Sequence, residues 1–466
     1  MPPTGTLTLD DLRAHVAQGA IEQVLCAFPD CYGRLVGKRI MADYFADEVA
    51  RTGMHACDYL LTVDMEMEPV QGYRLCSWDT GYGDLLAVPD WATLRLASWL
   101  DKTAIVLCDL RREADGAPVP VAPRSVLRSQ VERAARLGCS PMVGSELEFY
   151  LFNEAYETAR KKTYDGLERP AWYIEDYHLF QGAKEDDVVG AIRSHLSRSG
   201  IPVEFSKGEW GPGQQEINLR YAPALEMADR HVLYKHLAKE VAWQRGRAVT
   251  FMAKWHAAEA GSSCHMHVSL WDAQGGRPLF AGDDATGQTI AGGHVACSAV
   301  FQHFLAGLIA HVADIMLFLA PTVNSYRRFL PGAFAPTAVA WGPDNRTTAF
   351  RVVGRGSRLR VECRVPGADV NPYLAYAALL AAGLDGVERE IPLGDPFTGN
   401  AYAAAHLPRL PATLSDAIRA AEQSALLRDA FGEDVVEHYL HFARTEQRRF
   451  DAAVTDWERI RYFERV

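Results

Sequence analysis

Between Ser145 and Phe152 the chain reads Ser-Glu-Leu-Glu-Phe-Tyr-Leu-Phe, an alternation that predicts a strand with Glu146 and Glu148 on one face and Leu147, Phe149 and Leu151 on the other. Two carboxylates so spaced stand roughly 6–7 Å apart. On an open surface they are a solvated acidic face; in a cleft they call for cations. The pattern recurs in Cys264-His265-Met266-His267-Val268-Ser269, where two histidines share a face, and in Arg360-Val361-Glu362-Cys363-Arg364, whose polar side is Arg360, Glu362 and Arg364. One histidine on a strand is commonly a satisfied core residue. Three strands that each offer ligands on one face point instead to a site. A fourth segment, Gly208-Glu209-Trp210-Gly211-Pro212-Gly213-Gln214-Gln215-Glu216, reads as a loop that brings Glu209 and Glu216 together across a turn. Five glutamates with one or two histidines and no cysteine suit Mg²⁺ or Mn²⁺ better than structural zinc. Two such ions close together would clamp a triphosphate.

Basic residues follow. Asn324-Ser325-Tyr326-Arg327-Arg328 carries Arg328, and Asp344-Asn345-Arg346-Thr347-Thr348-Ala349-Phe350-Arg351 carries Arg346 and Arg351. With Arg360 and Arg364 they form an arginine array in an otherwise acidic chain. Guanidinium forks match carboxylates and phosphates, so an acidic metal site flanked by them points to phosphoryl transfer onto a carboxylate. Gly33-Arg34-Leu35-Val36-Gly37-Lys38-Arg39 is not a phosphate loop: its spacing is one residue short and no Ser or Thr follows the lysine.

The elements that must position these groups are partly legible. A helix is expected over Thr8 to Val24, capped by Thr8, with strands near Gln23–Phe28, Tyr59–Val63, Asp84–Val88 and Thr103–Leu110 in a small mixed or antiparallel sheet. Asp115-Gly116 and three prolines mark a linker over Glu113–Pro123. Beyond it, helices are expected at Ser125–Gly138, Pro223–Gly246, Ala299–Leu319 and from Pro372 through Ala382, with a strand at Pro141–Phe152 and a helical tail from Ser415. The expected fold class is α+β with two domains, 1–113 and 114–466.

The 466 residues are 48% hydrophobic and 23% charged, which excludes disordered, collagenous and disulfide-scaffold classes. A balance of 48 Lys+Arg against 59 Asp+Glu, net −11, argues against nucleic acid or an anionic membrane as partner. The nine cysteines are scattered without a C-x-x-C pair, as reduced thiols of a cytoplasmic protein would be. The start, Met1-Pro2-Pro3-Thr4, lacks a secretory pattern, and the apolar tract Phe304 to Val323 carries His311 and Asp314, which suits a core helix better than a membrane span.

Taken in order, Glu146-Leu147-Glu148-Phe149, the Gly-Pro-Gly-Gln-Gln-Glu loop ending at Glu216, Cys264-His265-Met266-His267, Asn324-Ser325-Tyr326-Arg327-Arg328, Asn345-Arg346, Arg360-Val361-Glu362-Cys363-Arg364 and Asn371-Pro372-Tyr373 resemble the glutamine synthetase family, in its bacterial class I branch. The resemblance implies one metal on Glu148, Glu209 and Glu216, another on Glu146, His265 and Glu362, and two or three Mg²⁺ or Mn²⁺ ions per site. It implies ATP contacts from His267, Ser269, Arg346, Arg351 and Arg360, and glutamate contacts from Gly261, Arg328 and Arg364, with Arg346, Glu209 and Arg328 in catalytic roles. The implied fold is a small N-terminal β-grasp domain plus a large C-terminal catalytic domain. The implied assembly is a homo-oligomer, a dodecamer of two stacked hexameric rings with sites between neighbours. The implied reaction makes γ-glutamyl phosphate from ATP and glutamate, which a neutral amine then attacks.

The chain departs from that pattern where the nucleophile binds. Ammonia-using members of the family carry a flap glutamate two residues after the glycine of this segment, whereas Pro331-Gly332-Ala333-Phe334-Ala335-Pro336 places Phe334 there. A phenyl ring neither accepts a proton nor fixes ammonium by charge. The family's ammonium-binding aspartate corresponds to Asp58, without the usual Gly-Ser-Ser beside it, and Ala260 replaces an asparagine before Gly261. Cys57 to Met65, Ser77 to Asp84 and Phe334-Ala335-Pro336-Thr337 are similar to the glutamine synthetase-like ligases of organic amines, those using ethanolamine foremost and polyamines next. The alternatives are an ammonia-dependent synthetase, a non-catalytic ring and a metal-dependent hydrolase. Tyr402 falls near a modified tyrosine of some class I enzymes, but its flanks match poorly and modification is not expected.

Overall fold

Thr8 opens the first helix as the sequence predicts: its hydroxyl accepts from the Asp11 amide at 3.1 Å while the Asp11 carboxylate takes the Thr8 amide at 2.9 Å. In the computed structural model, which describes residues 5–282, 288–292 and 295–466, that helix covers only Leu9–Ala17. The expected extension to Val24 fails because Gln23 already pairs in a strand, so the apolar run there belongs to the sheet. Met1–Thr4 lie outside the described residues.

The first sheet has six strands: β1 (Gln23–Pro29), β2 (Leu35–Met41), β3 (Met54–Cys57), β4 (Asp84–Pro89), β5 (Arg95–Leu96) and β6 (Thr103–Arg112). β1 and β6 run parallel and the remaining pairs antiparallel, so the sheet is mixed. The strand expected over Tyr59–Val63 is instead a 3₁₀ turn, Asp58–Leu61, in which Thr62 N bonds Tyr59 O at 2.7 Å, and of the expected strand Val63 alone forms a bridge, with Pro69. Residues 113–122 connect this sheet to the helix Pro123–Arg136, where Pro123 occupies the first turn.

The second sheet has nine strands: β7 (Cys139–Phe152), β8 (Val203–Gly208), β9 (Gln214–Leu219), β10 (Ala222–Pro223), β11 (Ala248–Thr250), β12 (Cys264–Asp272), and, after the separate hairpin of β13 (Gln288–Ile290) and β14 (Val295–Cys297), β15 (Trp341–Pro343), β16 (Phe350–Val353) and β17 (Arg360–Cys363). Its path is β15-β16-β17-β12-β7-β9-β8, with β10 and β11 also on β7. The segment expected as a loop, Gly208 to Glu216, is the tip of the β8–β9 hairpin and the start of β9. Behind this sheet the helices Ala224–Gln244 and Pro372–Glu388 cover the odd-numbered face of β7, where Phe149 meets the Tyr234 ring and Ser145 Oγ lies 2.7 Å from Tyr376 Oη. Burying each such leucine or phenylalanine contributes about 2 kcal/mol, which fixes the even-numbered face as the open one.

The helix Pro372–Glu388 is buried from Pro372 to Gly386 and crosses the helix Ala299–His311 closely enough that a Cβ on Gly307 would meet Ala382 O at 2.2 Å. The long helix expected to Leu319 breaks after His311, which turns to pair with Asp314 and Asp385, and resumes at Met316–Leu319. Arg124 ties the first sheet to the helix Ala224–Gln244: buried, it holds Asp229 with two bonds, at 3.0 and 2.9 Å, and reaches Asp90 at 2.9 Å and Asp109. The tail folds as helices Leu414–Gln423, Ala425–Phe431, Glu433–Ala452 and Asp456–Tyr462. Among the described residues no helix is long and apolar enough to cross a membrane.

Candidate active site

Strand register assembles the site. β7 places Glu146 opposite His265 of β12 and Glu148 opposite Glu216 of β9, while β17 places Glu362 opposite His267. Period-two alternation keeps all of these side chains on the face that the helices leave open. Two ligand sets result, Glu146 with His265 and Glu362, and Glu148 with Glu209 and Glu216, each with donor atoms that all lie within 4.8 Å of one another.

In the first set His265 Nδ1 stands 3.1 Å from Glu146 and 3.7 Å from Glu362, and His267 Nε2 lies 2.8 Å from the other Glu146 oxygen. Burial, with Arg364 nearby, lowers the His265 pKa, and its Nε2 is buried without a partner among the described residues. Burial opposes ionisation of Glu146, but the adjacent His267 and His265 outweigh it and hold the carboxyl well below its ordinary range. Glu362 behaves alike: burial is overcome by His265 and Arg364. Its carboxylate also accepts from Arg351 Nη1 at 2.7 Å and from Arg364.

The second set is short of positive charge. Burial and the neighbouring Glu209 push Glu148 up to about 8, and burial with Glu209, Glu146 and Glu148 raises Glu216 well above its ordinary value. Lys207, ion-paired with Glu209, is the cation beside them. Three carboxylates in a mostly buried patch, two of which, Glu148 and Glu216, resist ionisation, fit a divalent cation held by oxygen, and the His265 imidazole with the Glu146 and Glu362 carboxylates fits a second. No thiol enters either set.

Sequence reasoning missed the residues that aim these ligands. Gln214 Nε2 and the Ser263 amide donate to one Glu148 oxygen at 2.9 and 2.8 Å, and Asn218 donates to Glu216 at 2.9 Å. Gln215 is tied to the buried pair Glu175 and Glu185, and the Gly213 amide bonds Glu175 too, bracing the hairpin from behind. The Gln-Gln-Glu run was the available signal for the glutamines; Glu175, in an irregular stretch, gave none.

The arginine array is partly assembled. Arg360 Nε donates to His267 Nδ1 at 3.0 Å, and Arg351 also holds Asp344 at 3.0 Å. Arg328 is buried, bonding Val365 O at 2.9 Å and Ser263 Oγ at 2.7 Å, and it passes so close to Gly261 that a Cβ there would meet its Cγ at 2.6 Å. Ser269 lies farther along the histidine face of β12 and accepts from Trp271 Nε1 at 3.1 Å. Arg346 sits on an exposed turn between β15 and β16, without a hydrogen bond or ion pair among the described residues. Phe334 is half-exposed, and its carbonyl accepts from Arg364 Nη2 at 3.3 Å. Asp58 is not brought to these clusters: its carboxylate takes the Gly83 amide at 3.0 Å beside the first sheet. The Tyr402 hydroxyl is buried.

The catalytic-domain profile of glutamine synthetase matches residues 120–462. The chain belongs to the glutamine synthetase family. Among curated relatives in and around this family, it is 48% identical over 465 residues to a gamma-glutamylethanolamide synthetase of Streptomyces coelicolor, covering 100% of this chain and 97% of that protein. It is 35% identical to a glutamate–isopropylamine ligase of a Pseudomonas species, over 97% of each. A solved GmaS–ADP complex superposes with a TM-score of 0.84 at 30% identity, covering 97% of this chain and 99% of the other.

Proposed function

We propose that this glutamine synthetase family member is an ATP-dependent ligase that joins an organic amine, ethanolamine foremost, to the γ-carboxylate of glutamate. The observation that carries the choice of nucleophile is Phe334, a half-exposed ring where the ammonia-using pattern has an acid. The two amine-ligase relatives support it.

The γ-carboxylate oxygen of glutamate attacks the γ-phosphorus of ATP, the bond to ADP breaks, and γ-glutamyl phosphate forms. The amine nitrogen then attacks the acyl carbon, phosphate leaves with the former carboxylate oxygen, and the nitrogen gives up its proton. Mg²⁺ or Mn²⁺ on the two ligand sets would supply Lewis-acid neutralisation of the phosphates. Arg351, Arg360 and Arg346 are assigned to the nucleotide together with His267 and Ser269, and Arg328, Arg364 and Gly261 to glutamate. Their fixed forks neutralise charge as it shifts from the phosphoryl oxygens to the leaving groups. Glu209, close to the tip of the β8–β9 hairpin, takes the proton or the ammonium charge of the incoming amine.

Asp58, remote from its own chain's clusters, is assigned to a neighbour's site, which favours an assembly, proposed as two stacked hexameric rings. A division into domains 1–113 and 114–466 is supported by the first sheet ending at Arg112. Thiols that are all free suit the cytoplasm. ADP release measured with ATP, glutamate and a panel of ethanolamine, putrescine, cadaverine, longer polyamines and ammonia tests the reading. Ethanolamine as best substrate is expected; ammonia as best substrate refutes it.

A further inference from the structure

Trp210 immediately follows Glu209 at the hairpin tip and is 48% exposed, while Phe334, from a loop far away in sequence, is 50% exposed. Their ring centroids lie 5.8 Å apart at 57°. Both rings are held from below. The Trp210 turn is pinned by Glu209 N to Gln214 O at 2.8 Å and Gly211 N to Gln214 Oε1 at 2.9 Å, and Gly211 is packed so tightly that a Cβ would meet Tyr150 Oη at 1.8 Å. Phe334 sits at φ +57°, a left-handed conformation unfavourable for a phenylalanine, while Arg364, the partner of Glu362, grips its carbonyl.

Trp210 is thus joined through the chain to Glu209 of one ligand set, Phe334 through its carbonyl and Arg364 to Glu362 of the other, and the two rings meet with about half of each residue exposed. Large apolar rings left exposed at a polar cleft are costly unless something apolar covers them. We infer that Trp210, with Phe334, forms an aromatic slot that selects a primary amine by its short carbon chain, so that Trp210 is a specificity-determining residue. This rests on the amine-ligase reading above. An alkyl-ammonium ion arriving beside Glu209 leaves its charge to that carboxylate, while its methylenes leave water against the two rings. Ammonium has the charge but no methylene; at about 0.8 kcal/mol per buried CH₂, a two-carbon amine gains roughly tenfold over it. Trp210 takes no proton and touches no reacting atom; it acts on binding alone.

The test is steady-state ADP formation by the full-length assembled enzyme and by W210A and W210F, with ethanolamine, butylamine and ammonia varied at saturating ATP and glutamate. W210A is expected to raise the KM for ethanolamine about tenfold and to leave KM for glutamate and ATP, and kcat/KM for ammonia, within about twofold. W210F is expected to keep most of the ethanolamine-to-ammonia preference. An unchanged preference in W210A, or a loss spread equally over glutamate, ATP and all amines, overturns the slot while leaving the amine-ligase reading intact. A wild-type enzyme that prefers ammonia overturns both.

Discussion

Glu148 and Glu216 are direct partners across antiparallel strands β7 and β9, both buried, with Glu209 added to the same patch. Like charges opposite one another on a sheet destabilise it, and burial removes the water that would screen them. The packing of the odd face of β7 overrides that cost locally, and the patch relieves it by holding protons or a cation.

Replacing one of these carboxylates separates stability from function. In chelator-treated protein, E216Q replaces a carboxyl whose ionisation burial and its acidic neighbours already disfavour, and is expected to melt at or above wild type, by up to about 2 °C. Added Mn²⁺ raises the melting temperature of wild type but not of E216Q, and amine-dependent ADP formation by the variant falls at least about 100-fold. Differential scanning fluorimetry with and without EDTA, beside the ADP assay, checks both.

Metal binding to this patch expels protons. Burial and Glu209 push Glu148 up to about 8, so at pH 7 the metal-free protein holds a proton that a bound cation must displace. Mn²⁺ affinity is expected to strengthen as pH rises from 6 to 8. Calorimetry in two buffers of different ionisation enthalpy is expected to show net proton release at pH 7.

Arg124 is the shared counter-charge of Asp90, Asp109 and Asp229. Removing it strands a buried Asp229 and unties the first sheet from the helix Ala224–Gln244, and a broken buried pair costs about 3–5 kcal/mol. R124A is expected to lower the urea midpoint strongly, and D229N combined with R124M to recover part of the loss, because the uncompensated charge is then gone.

His438 gives an acid-side signature. It lies 3.5 Å from Cys31 Sγ and against Tyr73, and burial pushes its pKa down to about 3. The unfolded chain takes the proton first as pH falls, so this contribution is complete above about 6.5 and is lost at about 1.4 kcal/mol per pH unit below it. H438N is expected to flatten the fall in urea midpoint between pH 6.5 and 5.

The site was more legible than the fold. Glu146 and Glu148, His265 and His267, and Glu362 show their common face through period two alone, because alternation is local. Register is not local: nothing in the residues says that Glu148 faces Glu216, since that pairing depends on how distant strands meet. The same limit turned Tyr59 to Val63 into an expected strand, where a 3₁₀ turn forms and Val63 alone bridges, to Pro69. Helix lengths failed at Val24 and Leu319, where tertiary partners, the parallel β6 and Asp385, take over residues whose spacing alone continues a helix. Trp210 carried no signal, because its meaning depends on Phe334 arriving from another loop.

The central claim is that phosphate leaves from an acyl phosphate of glutamate under attack by an organic amine. Incubation with glutamate labelled with ¹⁸O in its γ-carboxylate, ATP and ethanolamine, followed by mass spectrometry, tests it directly. γ-Glutamylethanolamide and one ¹⁸O atom in each phosphate released are expected. Unlabelled phosphate, or phosphate release that does not require the amine, would contradict it.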